Sequence, residues 1–198
     1  NNKTYKWSEL INFNDKNEIK YETFNFNDPL AILYSSGTTG KPKCICHGIG
    51  GTLLQHNKEL QIHSDIKDKD RIFYFTTCGW MMWNWLVSSL AVGSTIVLYD
   101  GNPFFPKSDS LLEIADSINV SIFGTSAKYI SALEQNNLKP NDKFSFTKLR
   151  TILSTGSPLV EENFEYVYDN WKDDVQLCSI SGGTDIISCF ALGNPIKP

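Results

Sequence analysis

From Pro29 onward, short runs of β-branched and aromatic residues trade places with longer stretches of helical spacing. The strand-like runs are LAILYS (30–35), KCICHG (43–48), RIFYFTT (71–77), STIVLYD (94–100), VSIFGT (120–125), LRTILST (149–155) and VQLCSIS (175–181). Helical spacing covers 51–63, 83–92, 108–118, 126–136 and 160–171. That order predicts successive βαβ units. RIFYF and TIVLY are nearly continuous apolar runs, as strands are when helices cover both faces of a sheet; a sheet wetted on one side would alternate. The predicted fold is therefore α/β, an open, mostly parallel sheet flanked by helices. A glycine-rich stretch alone separates the first two runs, which predicts a hairpin with a tight, anion-sized turn. Residues 1–28 are Asn-rich and polar and read as a surface lead-in, with the folded body beginning at residue 29.

Composition narrows the partners. A chain of 198 residues with 41% hydrophobic and 13% aromatic content can bury a sizeable core. The formal charge of -4, without a long Lys/Arg cluster, excludes nucleic acid and anionic membrane as expected partners. The opening NNKTYKWSEL lacks an apolar signal core, and no run reaches the roughly 18 apolar residues of a membrane span, so a soluble, cytoplasmic protein is expected. The five cysteines are odd in number and form no CxxC pair, which predicts reduced thiols within the core. A metal at Cys44, Cys46 and His47 is disfavoured on the expectation that the two thiols point to opposite faces of a strand. His56 and His63 fall in a polar helical stretch and read as surface residues.

The chemistry concentrates between Tyr34 and Lys43, in YSSGTTGKPK. Gly37 and Gly40 permit positive φ and close backbone approach; Ser35, Ser36, Thr38 and Thr39 add short hydroxyls; Lys41 and Lys43 add charge. A polyphosphate matches that mixture. It is not a Walker A loop, because Ser35 stands five before Gly40 and Pro42 follows the lysine. Turn chemistry alone also allows a plain Ser/Gly/Thr hairpin tip, and the two readings stand about even on these residues.

YSSGTTGKPK resembles the phosphate-binding signature of the adenylate-forming superfamily, which includes acyl-CoA synthetases, luciferases and peptide-synthetase adenylation domains. FTTCGWMMW (75–83), STGSPL (154–159) and SISGGTD (179–185) resemble three further motifs of that superfamily, in its order. The resemblance covers nearly the whole chain from Phe26 and implies part of an AMP-binding domain over 29–198, in an ATP-dependent acid-CoA ligase. It implies that residues 35–43 hold the β and γ phosphates and that Gly156, Ser157 and Pro158 lie against adenine. By the same parallel, Ser181, Gly182, Gly183 and Thr184 border the nucleotide, with Thr184 near the α-phosphate. Asp185, where the family more often has Glu, would help hold Mg2+, and CoA would be the co-substrate. Thr38, Lys43, Thr184 and Asp185 would then serve catalysis. Trp80, Met81, Met82 and Gly182 would line the acyl pocket, with Trp80 favoured, although a tryptophan-rich helix start is more often plain core. Relatives that prefer acetate carry bulky aromatics in the stretch matching 181–183. Gly182 thus implies room for a longer acid such as acetoacetate. The superfamily's ribose-binding aspartate, hinge and C-terminal lysine find no match in residues 1–198, so weak ATP binding and slow adenylation are expected of this stretch alone.

Overall fold

The computed structural model describes residues 6–11, 18, 20–35 and 40–196. In chain order they form α1 (Trp7–Ile11), β1 (Pro29–Ser35), β2 (Lys43–Gly48), α2 (Ile49–Lys58), β3 (Arg71–Tyr74), α3 (Met81–Ser88) and β4 (Thr95–Val97). There follow α4 (Ser110–Ser117), β5 (Ile122–Ser126), α5 (Ala127–Gln135), β6 (Thr151–Thr155), α6 (Glu161–Asn170), β7 (Gln176–Ser179), β8 (Ser181–Gly183) and β9 (Ser188–Ala191). A π-helical turn, Glu59–His63, continues α2, and a 3-10 turn, Thr184–Ile186, joins β8 to β9.

Five strands make one wholly parallel sheet in the order β4-β3-β5-β6-β7. Its two faces feed two cores, which is why a run such as RIFYF is nearly continuous in apolar residues. Phe73, Phe123 and Ile152 pack with residues of α4, α5 and α6 and with Trp171 just after α6, whose ring meets Phe123 edge-on with centroids 5.5 Å apart. On the other face Ile72, Tyr74, Ile122 and Leu153 pack with Leu60 and with Met82, Trp85 and Leu86 of α3. Each large side chain removed from water contributes about 1.5–3 kcal/mol, so the sheet and its two helical layers carry most of the stability. Two antiparallel hairpins stand outside this sheet: β1–β2, as the short glycine-rich connection predicts, and β8–β9.

The predicted elements shift in instructive places. RIFYFTT ends as a strand at Tyr74, because the backbone turns after Phe75 into the loop where Trp80 N–H donates to Thr77 O at 3.1 Å. VQLCSIS divides at Ile180 into β7 and β8, and β9 is a strand that the periodicity does not predict. The thiols also depart from expectation: Cys44, Cys46 and Cys78 are exposed, Cys178 is buried and Cys189 is partly buried. Cys44 and Cys46 stand two apart and so share one face of β2, since side chains alternate with a period of two. Among the described residues, no group of three or more His, Cys, Asp or Glu side chains is placed to hold a metal. No helix among them is long and apolar enough to cross a membrane.

Candidate functional site

Three of the four motifs meet in one cavity of about 350 Å3. It opens beyond the carboxyl ends of β6 and β7, the end of a parallel sheet where loops rather than strands present side chains. One wall is the start of α3, with Trp80, Met81, Met82 and Trp85. A second is the turn after β6, with Gly156, Ser157 and Pro158, and the third is the stretch Ser179–Thr184 with Ser188 and Cys189 of β9. Met81, Met82 and Trp85, besides lining the cavity, are buried core residues. Gly156 turns with φ +89, a left-handed conformation that favours glycine, and this lets the chain leave β6 and run along the cavity.

The described lining carries no charged side chain. Its polarity comes from hydroxyls, including those of Thr155, Ser157, Ser181, Thr184 and Ser188. Burial, and then the neighbouring Glu59 carboxylate, push the Cys189 thiol well up, so it presents an uncharged S–H. A neutral cavity of hydroxyls and aromatics suits a base and a short acyl chain, and offers little to a polyphosphate.

Cationic groups lie on the neighbouring hairpin. Ser35 pairs with Lys43 across β1 and β2, which fixes both ends of the glycine-rich connection. Ser36, Gly37, Thr38 and Thr39 lie outside the described residues. Gly40 has φ +144, bearing out the backbone freedom expected there, and Lys41 and Lys43 are exposed. A hydrogen bond ties the hairpin to the cavity, where His47 Nε2 donates to the Thr184 carbonyl at 2.9 Å. Thr184 lines the cavity and Asp185, next to it, is exposed. The described ends of the fourth motif, Ser35 and residues 40–43, thus belong to a hairpin joined to the cavity at Thr184.

One expectation is corrected here, and the surroundings of a second residue are made specific. His56 is fully buried: its Nε2 donates to Ile187 O at 2.5 Å and its Nδ1 lies 2.8 Å from Ser88 Oγ. The polar look of its helix hides a face that packs beneath β9. Gly182 does border the cavity, but a Cβ at that position would come within 2.3 Å of Ser188 O and 2.7 Å of Cys189 Cα. Its lack of a side chain first admits the backbone of β9; a larger residue could reach the cavity only by moving that strand.

One polar residue escaped the sequence reading. Glu59, with no exposed surface, accepts from Gln55 Nε2 at 2.6 Å, Trp85 Nε1 at 3.0 Å, Cys189 N at 3.4 Å and the Ser188 hydroxyl. A glutamate within LLQHNKELQIH looks like one more solvated helix charge, and its partners Trp85, Ser188 and Cys189 lie far along the chain.

The model of the family described as AMP-binding enzyme matches residues 2–195. The chain is 58% identical over 161 residues to acetoacetyl-coenzyme A synthetase of Rhizobium meliloti (strain 1021), covering 81% of this chain and 25% of that protein. It is 47% identical to malonamoyl-CoA synthetase of Penicillium aethiopicum over 174 residues, covering 81% of this chain and 24% of that one. The structure of acetoacetyl-CoA synthetase from Streptomyces lividans superimposes with a TM-score of 0.87 at 44% identity, over 92% of this chain and 29% of that chain. The chain thus spans about a quarter of the length of the curated relatives it matches.

Proposed function

Because the chain belongs to the AMP-binding enzyme family, we propose that it forms the nucleotide- and acid-binding part of an ATP-dependent ligase that converts acetoacetate and CoA to acetoacetyl-CoA, AMP and pyrophosphate. A single observation supports this reading most: three motifs separated in sequence line one uncharged cavity, beside a hairpin bearing exposed lysines. In the first half-reaction the acid's carboxylate attacks the α-phosphorus of ATP and pyrophosphate leaves, giving the acyl-adenylate. In the second, the CoA sulfur attacks the acyl carbon and AMP leaves.

The residues divide this work by charge. Ser35, Lys41 and Lys43, with Ser36, Gly37, Thr38, Thr39 and Gly40 between them, would hold the β and γ phosphates and neutralise the charge that gathers on departing pyrophosphate. Gly156, Ser157 and Pro158 would lie along the adenine, and Ser181, Gly182 and Gly183 along the nucleotide. Thr184 would sit at the α-phosphate, where the cavity meets the hairpin. Trp80, Met81, Met82 and Gly182 would enclose the acyl chain and exclude water, holding the carboxylate at attack distance. Mg2+ prefers oxygen ligands and is commonly held by one or two carboxylates plus substrate phosphates. The lone exposed carboxylate of Asp185 fits that donor set, and bound Mg2+ would supply charge neutralisation on the phosphates. Free cysteines at all five positions accord with a reducing, cytoplasmic setting.

The malonamoyl-CoA relative favours a second reading, in which the chemistry is the same and the acid is another short carboxylate. Exchange of labelled pyrophosphate into ATP by the whole protein, run with acetate, propionate, butyrate, malonamate and acetoacetate, separates the two. Acetoacetate should give the highest kcat/KM. A higher value for another acid moves the substrate assignment, and exchange that needs no acid at all removes the ligase reading.

A further inference from the structure

Resting on that ligase reading, we propose that Glu59 is a positioning residue that sets the shape of the cavity while touching neither acid nor nucleotide. Its carboxylate holds two walls at once: Trp85 of α3 through the indole N–H, and β9 through the Ser188 hydroxyl and the Cys189 amide. All three of those residues line the cavity, and Glu59 does not.

Stability alone is a poor reason for a carboxylate at this depth. Removing it from water costs several kcal/mol, which its donors must offset, and a well-packed apolar residue often does as well or better. What an apolar residue cannot do is fix the donors' positions. The β8–β9 hairpin needs such fixing, because a two-stranded hairpin is marginal by itself and β8 contains Gly182 and Gly183. Its remaining polar holds come from the same stretch of chain as Glu59. His47 donates to Thr184 O, His56 to Ile187 O, and His63 Nδ1 to Gly193 O at 3.0 Å. Strand β2, α2 and its π turn thereby splint the segment 184–193, and two of these side chains also reach α3: His56 at Ser88, and Glu59 at Trp85 in the cavity wall.

The donor chemistry dictates a test. Trp85 N–H and Cys189 N–H can only donate, whereas the Ser188 hydroxyl can rotate and the Gln55 amide can flip to accept. Glu59→Gln can therefore keep the Trp85 bond through its oxygen while Ser188 and Gln55 reorient, losing one long contact at Cys189. Glu59→Ala strands all the donors. Both variants are made in the whole protein, beside Arg150→Met, which breaks the Arg150–Asp70 pair at the amino end of the sheet, away from the cavity.

In acid-dependent pyrophosphate exchange, Glu59→Ala should raise KM for the acid on the order of tenfold and lower kcat, since small misplacements of bound reactants are costly. Glu59→Gln should stay within about threefold of the parent, the scale of one weak hydrogen bond. Arg150→Met should lose thermal stability with KM unchanged. Hydrogen–deuterium exchange of the β9 amides, followed by mass spectrometry, reports that wall without catalysis and should quicken most in Glu59→Ala. The proposal is overturned if Glu59→Ala behaves as Arg150→Met does, losing stability while keeping the parent KM and the parent rate of β9 amide exchange. Should the parent show no pyrophosphate exchange with any acid while Glu59→Ala still quickens β9 amide exchange, the ligase reading fails and the positioning role stands.

Discussion

Gly182 and Gly183 are adjacent, border the same cavity and differ sharply in what surrounds them. A Cβ on Gly182 would collide with the backbone of β9, whereas the nearest atom to a Cβ on Gly183 is Asp185 Oδ2 at 3.8 Å. Gly182→Ala should therefore cost about 1–3 kcal/mol, as overpacking does, and Gly183→Ala within about 0.5 kcal/mol. Urea unfolding midpoints of the two variants check the contrast. His56 makes a prediction in pH. Burial, only partly opposed by its bond to Ile187 and by Glu59, lowers its pKa from the ordinary 6.5, so the folded state holds the neutral ring. Below pH 6.5 the unfolded chain binds a proton that the folded chain resists, so this group's contribution falls with acidification and is constant above that value. His56→Gln should flatten the loss of stability between pH 7.5 and 5.5 measured by urea titration; an unchanged slope would assign that loss to other groups.

Among the elements, α5 depends on its first turn. Ser126 ends β5 and caps the helix, its Oγ accepting from Tyr129 N at 3.2 Å. Ser126→Ala should cost about 1 kcal/mol, read as a lower urea midpoint with an unchanged slope. The elements also show what the sequence could reveal. Strand β3 was legible because burial on both faces writes a nearly continuous apolar run, and β5 and β6 from their β-branched and aromatic residues between helical stretches. Hairpin β1–β2 was legible from its glycine-rich connection. Strands β8 and β9 were not: three residues including two glycines carry no period, and Cys189 and Phe190 of β9 have no matching run to announce a pairing. The cavity-lining motifs were legible as residue types, since glycine, hydroxyl and aromatic clusters mark ligand chemistry. The roles of Glu59 and His56 were not, because the groups that make them structural lie 129 and 131 residues away, at Ser188 and Ile187. The close fit of Gly182 was hidden for the same reason, as only the folded chain brings Ser188 O against it.

Across the whole molecule, charge and apolarity are segregated. The neutral cavity and the lysine-bearing hairpin share one side, and the outer face of that hairpin is apolar. Leu30, Ile32 and Tyr34 are 46%, 56% and 69% exposed, and Cys46 and Cys44 stand opposite Ile32 and Tyr34. Unpaired strand edges beside such a face promote association. The 198-residue chain by itself should self-associate at micromolar concentration, and Ile32→Lys should shift it toward monomer in sedimentation velocity. The splint between α2 and the 184–193 segment bears finally on how the molecule comes to exist. During synthesis the parallel sheet can begin to assemble as each βα unit leaves the ribosome. Glu59 and His56, however, must wait for Ile187 and Ser188, made 131 and 129 residues later, and contacts so distant in sequence form slowly. The binding chamber is accordingly closed only after all five strands of the sheet have been made, and a stretch ending just short of Ser188 would contain those strands without the groups that complete its ligand site.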